Sequence, residues 1–461
     1  MRATMTLLLL LQAGPEAEYR QRLEKILRSA AAKHHAIAES LTTARMHQWA
    51  GERYARVLDL DPDHEGARKR LGYRKGDAGW EVDPSAKVET ANQKKDAEAD
   101  HIRKTTDDKL EQAGRDLGRQ WAELAAWCKK SMLPKEAGEA YRRCLENDPD
   151  HAGARKELGY EKQPEGGWLS KAQREFRAEM RDGLSKVPGG IGVKGESPFE
   201  KIVGATRKRE GQEVFVETTH LKDEAMAELI RRTDHAAAMF RKAFGPVGLG
   251  EGRKLRLLVL KDQAEHQRFV RSFQTGPQLE QALKSRAAGG GGTAEIWQGD
   301  APDVLLSDWG VHLMVQVLLK TWTDAKHCWL YEGIGLYFTR LMQDTAIVHC
   351  VDLGNTRGEN AGKRYDQPKD WPVVCKVWVR EGKDPDVTAI LKCTSFAELD
   401  GAEAVKAWSL TDFLLAEHPD SFKRYIEALA VLSVEEALKQ AFGWTLPELD
   451  QRWKDYVRTN Y

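Results

Sequence analysis

The two stretches that decide the fold are DWGVHLMVQVLL at residues 308–319 and WLYEGIGLYF at residues 329–338. Both carry apolar residues at helical spacing, and a short polar stretch separates them, so we predict two helices joined by a short connection. On the first helix His312 and Gln316 are four residues apart and face the same side. A carboxylate on the second helix, Glu332, can meet them there.

The spacing of His312 and Gln316 is that of the zinc motif HExxH, in which two His side chains bind the metal and the intervening Glu is the general base. In this sequence Leu313 stands at the position of the base and Gln316 at the position of the second His. A carboxamide is a poor zinc ligand, and losing the base typically costs about 10²–10⁴-fold in rate. We therefore expect no catalytic residues here and no cofactor, with Leu313 and Gln316 as degenerate positions.

The two stretches and their flanking segments resemble the gluzincin metallopeptidases, in particular the peptidase-MA-like domains of bacterial envelope proteins. In that family an HExxH helix precedes a helix reading roughly W-L-x-E-G-x-A-x-Y-F, whose Glu is the third zinc ligand. The resemblance implies that His312, Gln316 and Glu332 occupy vestigial metal-site positions. It also implies a zincin-like (thermolysin-like) domain over residues 211–461, with a small mixed sheet and a helical C-terminal subdomain.

A rearranged zinc site is the alternative. Asp308 lies four residues before His312, so Asp308, His312 and Glu332 are a possible substitute ligand set for a zinc-dependent peptidase or hydrolase. Against this, a Ser-Asp pair just before an apolar helix is typical of a helix N-cap. His312 and Glu332 then remain as structural residues without metal.

An internal repeat organises the N-terminal part of the chain. YARVLDLDPDH at residues 54–64 recurs as YRRCLENDPDH at 141–151, and ARKRLGY at 67–73 recurs as ARKELGY at 154–160. The pattern predicts two amphipathic helices per copy with a break at Asp-Pro, and it resembles tetratricopeptide-like units. Such units often bind a polypeptide partner, although plain structural support is the alternative. The shared motif positions are Tyr54, Pro62, Tyr73 and Trp80 in the first copy and Tyr141, Pro149, Tyr160 and Trp168 in the second.

We therefore predict a mostly helical α+β chain in which tetratricopeptide-like repeats precede the zincin-like domain. The residues between the repeats are highly charged, which is typical of an exposed helical arm or a linker. The predicted segments are a signal peptide at 1–13, repeat one at 16–83, the arm or linker at 84–119, repeat two at 120–187, a linker at 188–210 and the degenerate peptidase domain at 211–461.

Composition and the N-terminus limit the compartment and the partners. Lys plus Arg equals Asp plus Glu, 71 each, so no net charge favours nucleic acid. Met1-Arg2 followed by the apolar run Leu7 to Leu11 and small residues at Ala13-Gly14 predicts a signal peptide and export to the periplasm or the exterior. A cytosolic chain whose leucines begin a buried helix is the alternative. No later stretch is apolar for long enough to cross a membrane.

The function expected from these features is protein binding or scaffolding in the bacterial envelope by a pseudoenzyme. The cysteines carry no zinc-binding spacing such as CxxC. Cys128 and Cys144 align with Leu41 and Val57 of the first copy, which favours buried packing positions, with a disulfide between them as the alternative.

Overall fold

The computed structural model describes residues 14–77, 79–163, 167–249, 253–273, 275–284, 287–290, 293–299, 303–345 and 370–461. The chain divides into two compact units, Met1–Glu161 and Lys162–Tyr461. Helices predominate and the sheets are small, so the prediction of a mostly helical α+β chain is confirmed. The predicted signal peptide, 1–13, lies outside the described residues.

The two sequence copies form the same series of three helices and a two-stranded hairpin. The first copy contains α1 (Pro15–Thr43), α2 (His47–Leu60), α3 (Glu65–Arg70), β1 (Tyr73–Gly76) and β2 (Gly79–Val82). The second copy contains α4 (Asp96–Lys130), α5 (Pro134–Asn147), α6 (Ala152–Glu157), β3 (Tyr160–Lys162) and β4 (Trp168–Ser170). Each copy therefore has a short third helix and a hairpin that the helical periodicity of the sequence did not indicate.

The charged segment predicted as an arm or linker, 84–119, contains the first two thirds of α4. Its few apolar residues, among them Ile102, Leu110 and Ala113, pack against the core formed by α1 and α2. These residues recur at helical spacing on one side of the helix, so that side is covered and the charged side faces solvent. The segment is thus part of the packed helices of the first unit.

The repeated Asp-Pro and Leu-Gly-Tyr motifs build one joint in each copy. His64 Nδ1 accepts a hydrogen bond from the Ala67 amide at 3.2 Å and caps α3. Arg68 Nε donates to the Pro62 carbonyl at 2.9 Å, and its guanidinium lies 5.0 Å from the centre of the Tyr73 ring. The repeated residue types are therefore explained by a cap, a hydrogen bond and a cation–π contact.

The second joint repeats the first with matching distances. His151 Nδ1 accepts from the Ala154 amide at 3.1 Å and caps α6. Arg155 Nε donates to the Pro149 carbonyl at 2.9 Å, and its guanidinium lies 4.7 Å from the centre of the Tyr160 ring. The two remaining motif tyrosines, Tyr54 and Tyr141, are buried, as are the free cysteines Cys128 and Cys144.

The second unit is built on a six-stranded mixed sheet in the order β5-β6-β7-β8-β10-β9. Neighbouring strands β7, β8 and β10 are parallel, and the outer strands are antiparallel to their neighbours. Every residue of β8 except Arg256 is buried, as expected for a continuous apolar run in a central strand. The strands are β5 (Ile191–Gly192), β6 (Arg207–Glu210), β7 (Val214–Thr218), β8 (Leu255–Leu260), β9 (Ala287–Gly290) and β10 (Thr293–Trp297).

One expectation about this sheet needs correction. Residues 188–210, predicted as a linker, hold β5 and β6 with the helix α8 (Pro198–Val203) between them, because β6 hydrogen-bonds along β7 although its sequence, RKRE, is wholly charged. At the other side of the sheet, β10 is one strand inside, and β9, which ends in Gly289-Gly290, is the edge strand.

Helices pack on the sheet and on one another around a large apolar core and a smaller apolar cluster that includes Phe199, Leu258, Leu260 and Phe269. These helices are α7 (Lys171–Asp182), α9 (Asp223–Phe244), α10 (Gln263–Phe273), α11 (Pro277–Lys284), α12 (Asp303–Trp322), α13 (Cys328–Gln343), α14 (Trp371–Glu381), α15 (Val387–Lys392), α16 (Gly401–Glu417), α17 (Pro419–Ala428), α18 (Val434–Phe442) and α19 (Leu446–Asn460). Four of these helices position the residues around His312. Helix α9 contacts α12, α12 contacts α13, and α13 contacts α16. None of the described helices combines the length and apolar character needed to cross a membrane.

Candidate functional site

The structure brings together the three positions that the sequence assigned to one site. His312 and Gln316 lie on α12, and Glu332 lies on α13, which packs against it. His312 Nε2 is 3.2 Å from Glu332 Oε2 and 2.8 Å from the Gln316 side-chain nitrogen. His312 is 3% exposed and Glu332 is fully buried, so the contact between α12 and α13 shields this imidazole–carboxylate pair from solvent.

Nε2 of His312 has a hydrogen-bond partner in either tautomer of the imidazole. If Nε2 carries the hydrogen, it donates to the Glu332 carboxylate. If Nε2 carries the lone pair, it accepts from the Gln316 amide. In both tautomers Nε2 therefore has a hydrogen-bond partner from the protein, either Glu332 or Gln316.

Gly335 determines how closely the imidazole approaches α13. A Cβ built on Gly335 would overlap with the His312 ring, lying only 2.5 Å from Cε1. Gly333, two residues earlier on the same helix, allows a similarly close approach to α16, since a Cβ there would lie 2.6 Å from the Ala407 carbonyl oxygen. The two glycines of WLYEGIGLYF are thus explained by close helix contacts on two sides of α13.

Leu313, at the position of the general base, is half-buried and packs against the apolar core of the second unit. A leucine side chain has no ionisable group, so it cannot act as a general acid or a general base.

Asp308 lies one turn before His312 and is fully buried. Because α12 begins at Asp303, Asp308 is inside the helix, and the N-cap interpretation of this residue is wrong. Among the described residues, neither carboxyl oxygen has a hydrogen-bond partner at normal distance and angle. Burial raises the pKa of Asp308 to about 7, against the smaller opposing effects of the Thr345 hydroxyl, His312 and Arg232.

Other buried charges in the second unit were not singled out from the sequence. Lys406 is fully buried, and its ammonium lies 2.7 Å from an Asp384 oxygen, 2.8 Å from an Asp450 oxygen and 4.2 Å from the centre of the Trp453 ring. A lone Lys within the apolar run AVKAWSL of α16 is the signal that could have found it. On β10 the buried Glu295 lies 3.0 Å from His266 Nδ1, and no spacing in the sequence indicates that pair.

The donor set around His312 differs from a catalytic zinc site. Such a site takes three firm protein ligands and leaves one position for water, whereas the convergent groups here are an imidazole, a carboxylate and a carboxamide. Within the described part of the chain, no three His, Cys, Asp or Glu side chains lie together in an arrangement suited to a metal ion. The difference lies in the residue types: Gln316 presents a carboxamide where the HExxH frame has a second imidazole.

The repeat motif residues belong to the two joints described above and to the hairpins that follow them. Trp80 and Trp168 occupy the second strand of their respective hairpins, each directly after a glycine of positive φ.

Comparison with known proteins gives no family for this chain: no family model matches the sequence, and no curated protein matches it.

Proposed function

We propose that this chain is a catalytically inactive, gluzincin-like protein that acts in protein binding or scaffolding in the bacterial envelope. The observation that carries the proposal is the contact of His312 Nε2 with both Gln316 and Glu332, next to an aliphatic side chain at the position of the general base. An engaged imidazole, a carboxamide and a leucine supply neither a three-ligand zinc site nor a group that activates water.

Metal content and hydrolysis of the full chain test the loss of catalysis. We expect purified protein incubated with zinc and then desalted to hold less than about one tenth of an equivalent of zinc, and to show no peptide hydrolysis that a chelator abolishes. The matched variants are His312→Ala and, as control, the exposed His101→Ala. One equivalent of zinc that His312→Ala removes and His101→Ala retains would overturn this part of the proposal.

A zinc-dependent hydrolase with the ligands Asp308, His312 and Glu332 is the second candidate, because Asp308 is a buried carboxyl one turn from His312 with no hydrogen-bond partner at normal geometry in the part of the chain that the structure describes. A buried carboxyl of this kind is either neutral or paired with a cation. If this candidate is right, Asp308→Asn and His312→Ala each abolish zinc binding, whereas Gln316→Ala leaves it intact. If Asp308→Asn has no effect on bound zinc, the rearranged ligand set is wrong.

The binding role is supported by the repeated units, since stacked helical repeats commonly present a surface to a polypeptide. We propose the envelope as its location on the basis of the N-terminal sequence. Fractionation of cells that produce the full chain, with N-terminal sequencing of the product, tests this location. Export predicts a mature chain that begins near Gly14, and a chain that keeps Met1 in the cytosolic fraction contradicts it.

A further inference from the structure

Two cysteines of the second unit, Cys328 and Cys393, lie side by side although they are far apart in sequence. Cys328 is the first residue of α13, and Cys393 is the C-cap residue directly after α15. The Cys328 amide, one of the donors that a helix start leaves without a partner inside the helix, donates to the Cys393 carbonyl at 3.0 Å. The start of α13 is therefore joined to the end of α15 by a backbone hydrogen bond.

This backbone bond brings the two side chains into the distance range of a disulfide. An amide-to-carbonyl bond of this length holds the two Cα atoms roughly 5–6 Å apart, and the Cα atoms of disulfides are about 4.4–6.8 Å apart. The side chains point toward each other, because the Cys328 thiol is hydrogen-bonded to the Cys393 sulfur. Both cysteines are free thiols and are buried, at 4% and 5% exposure. The pair thus meets the distance requirement of a cross-link.

The surroundings of the two thiols favour a structural role over a reactive one. Burial raises the pKa of Cys328 to about 12 and that of Cys393 to about 11. At neutral pH both thiols are therefore protonated in the folded chain, and the thiolate that starts thiol–disulfide exchange is scarce. A bond between them forms most readily during folding, before the sulfurs are buried, and is then shielded from reductants in solution.

We propose that Cys328 and Cys393 form a disulfide when the chain folds in the presence of a small-molecule or protein disulfide that acts as the oxidant. One cysteine thiolate attacks a sulfur of the oxidant, which gives a mixed disulfide and releases one thiolate. The other cysteine then attacks the sulfur of its neighbour and releases the second thiolate. Two protein thiols are oxidised, one disulfide is reduced, and the released thiolates take up the two protons that the cysteines lose.

The bond closes the segment 328–393, which begins with α13 and includes α14 and α15. Closing a long segment restricts the unfolded chain and thereby stabilises the folded one. Cys328 lies one turn before Glu332, so the bond also anchors the start of the helix that carries this residue. The inference goes beyond the proposed function and is independent of it.

Refolding of the full chain tests the bond directly. The chain is reduced, unfolded in urea and refolded by dilution into a glutathione redox buffer, and the folded monomer is treated with N-ethylmaleimide and digested with trypsin. We expect the peptide of residues 327–340 to be linked to the peptide of residues 393–406. Each of these peptides contains a single cysteine, Cys328 and Cys393 respectively, so the link identifies the pair.

Calorimetry of matched variants measures what the bond contributes. In the native chain, reduction of the bond should lower the melting temperature of the second unit by roughly 5–15 °C. Cys328→Ala should abolish both the linked peptides and this dependence on reduction. Cys375→Ala removes another buried cysteine of the same unit and is the control, which should retain both.

Three results would overturn the inference. The first is a folded monomer in which Cys328 and Cys393 both carry N-ethylmaleimide, since both would then have remained thiols. The second is a link of either cysteine to a different one. The third is an equal melting temperature for the oxidised and the reduced native chain, which would mean that the segment is not closed. Zinc content, hydrolysis and cellular location enter none of these measurements, so this inference and the proposed function can fail separately.

Discussion

The residues around His312 determine the position and the hydrogen bonds of its imidazole ring. Gln316 and Glu332 share the same imidazole nitrogen, and the missing Cβ of Gly335 lets the ring lie against α13. Asp308, one turn away, is buried, and no described residue forms a hydrogen bond of normal geometry with its carboxyl group. Burying an ionised carboxylate is costly, so the ionisation of Asp308 should affect folding.

We expect the stability of the chain to depend on pH through Asp308. Its folded-state pKa, about 7, lies above the ordinary value of 3.8, so from about pH 4 to pH 7 the folded chain keeps a proton that the unfolded chain releases. The contribution of this group to stability is therefore fully present below about pH 4 and is lost as the pH rises through 7. Asp308→Asn should remove this dependence, which is worth up to about 4 kcal/mol between pH 4 and pH 8.

Urea unfolding of the native chain and of Asp308→Asn at several pH values measures the effect. The exposed Asp324→Asn serves as the control and should follow the native profile. Parallel pH profiles for the native chain and Asp308→Asn would show that the carboxyl ionises in the folded protein at no cost.

The degenerate positions can be tested by restoring them. The double variant Leu313→Glu with Gln316→His recreates HExxH on α12 and places its second imidazole one turn from His312, with Glu332 already facing the ring. We expect this variant to bind about one equivalent of zinc, because it supplies three firm ligands. Metal analysis after desalting provides the measurement, and adding His312→Ala to the double variant should abolish binding. If the double variant stays free of zinc, the α12–α13 geometry is not that of a metal site.

At the scale of elements, α13 is the helix on which the second unit is assembled. It contacts α12 through Gly335 and α16 through Gly333. Its apolar residues face all around the helix, as expected for a helix buried on every side. The sequence predicted this helix but not its neighbours, because helical spacing places residues on a face without identifying the helix that covers that face.

Gly335→Ala is expected to destabilise the second unit although alanine normally favours helices. The added Cβ overlaps with the His312 ring, so the variant should lose about 1–3 kcal/mol of unfolding free energy. The control is Gly51→Ala in α2, where nothing lies within 4 Å of the new Cβ and a gain of about 0.5–1 kcal/mol is expected. Equal gains for both variants in denaturant unfolding would mean that α13 does not approach α12 as closely as described.

At the scale of the whole molecule, the chain consists of two compact units with separate apolar cores. The boundary near Glu161 falls at the second hairpin, inside the segment predicted as repeat two, 120–187. Sequence similarity between the copies extends through Gly167-Trp168, but those residues pack with Asn460 at the other end of the chain. The sequence repeat therefore extends to Trp168, whereas the first compact unit ends at Glu161. The two boundaries differ because the repeat is defined by sequence similarity, whereas a compact unit is defined by which residues pack together.

Separate cores predict two unfolding transitions. Val57→Ala in the first unit and Val259→Ala in the second each remove methyl groups from a fully buried site, at a cost of about 1–3 kcal/mol. We expect each variant to lower the melting temperature of only one transition in differential scanning calorimetry. A single transition that both variants shift equally would contradict independent cores.

Periodicity and spacing alone determined the helices of the central stretches, the two repeat copies with their helix break at Asp-Pro, and the residues that meet at His312, since these depend on local geometry that repeats along the chain. The tertiary structure decided what no local pattern carries: that Asp308 is buried inside α12, that β6 joins the sheet despite its charged sequence, and that Gly335 and His312 touch. Each of these depends on a neighbour distant in sequence. The burial of a polar group, or the pairing of a charged strand, is favourable only when packing elsewhere outweighs its cost.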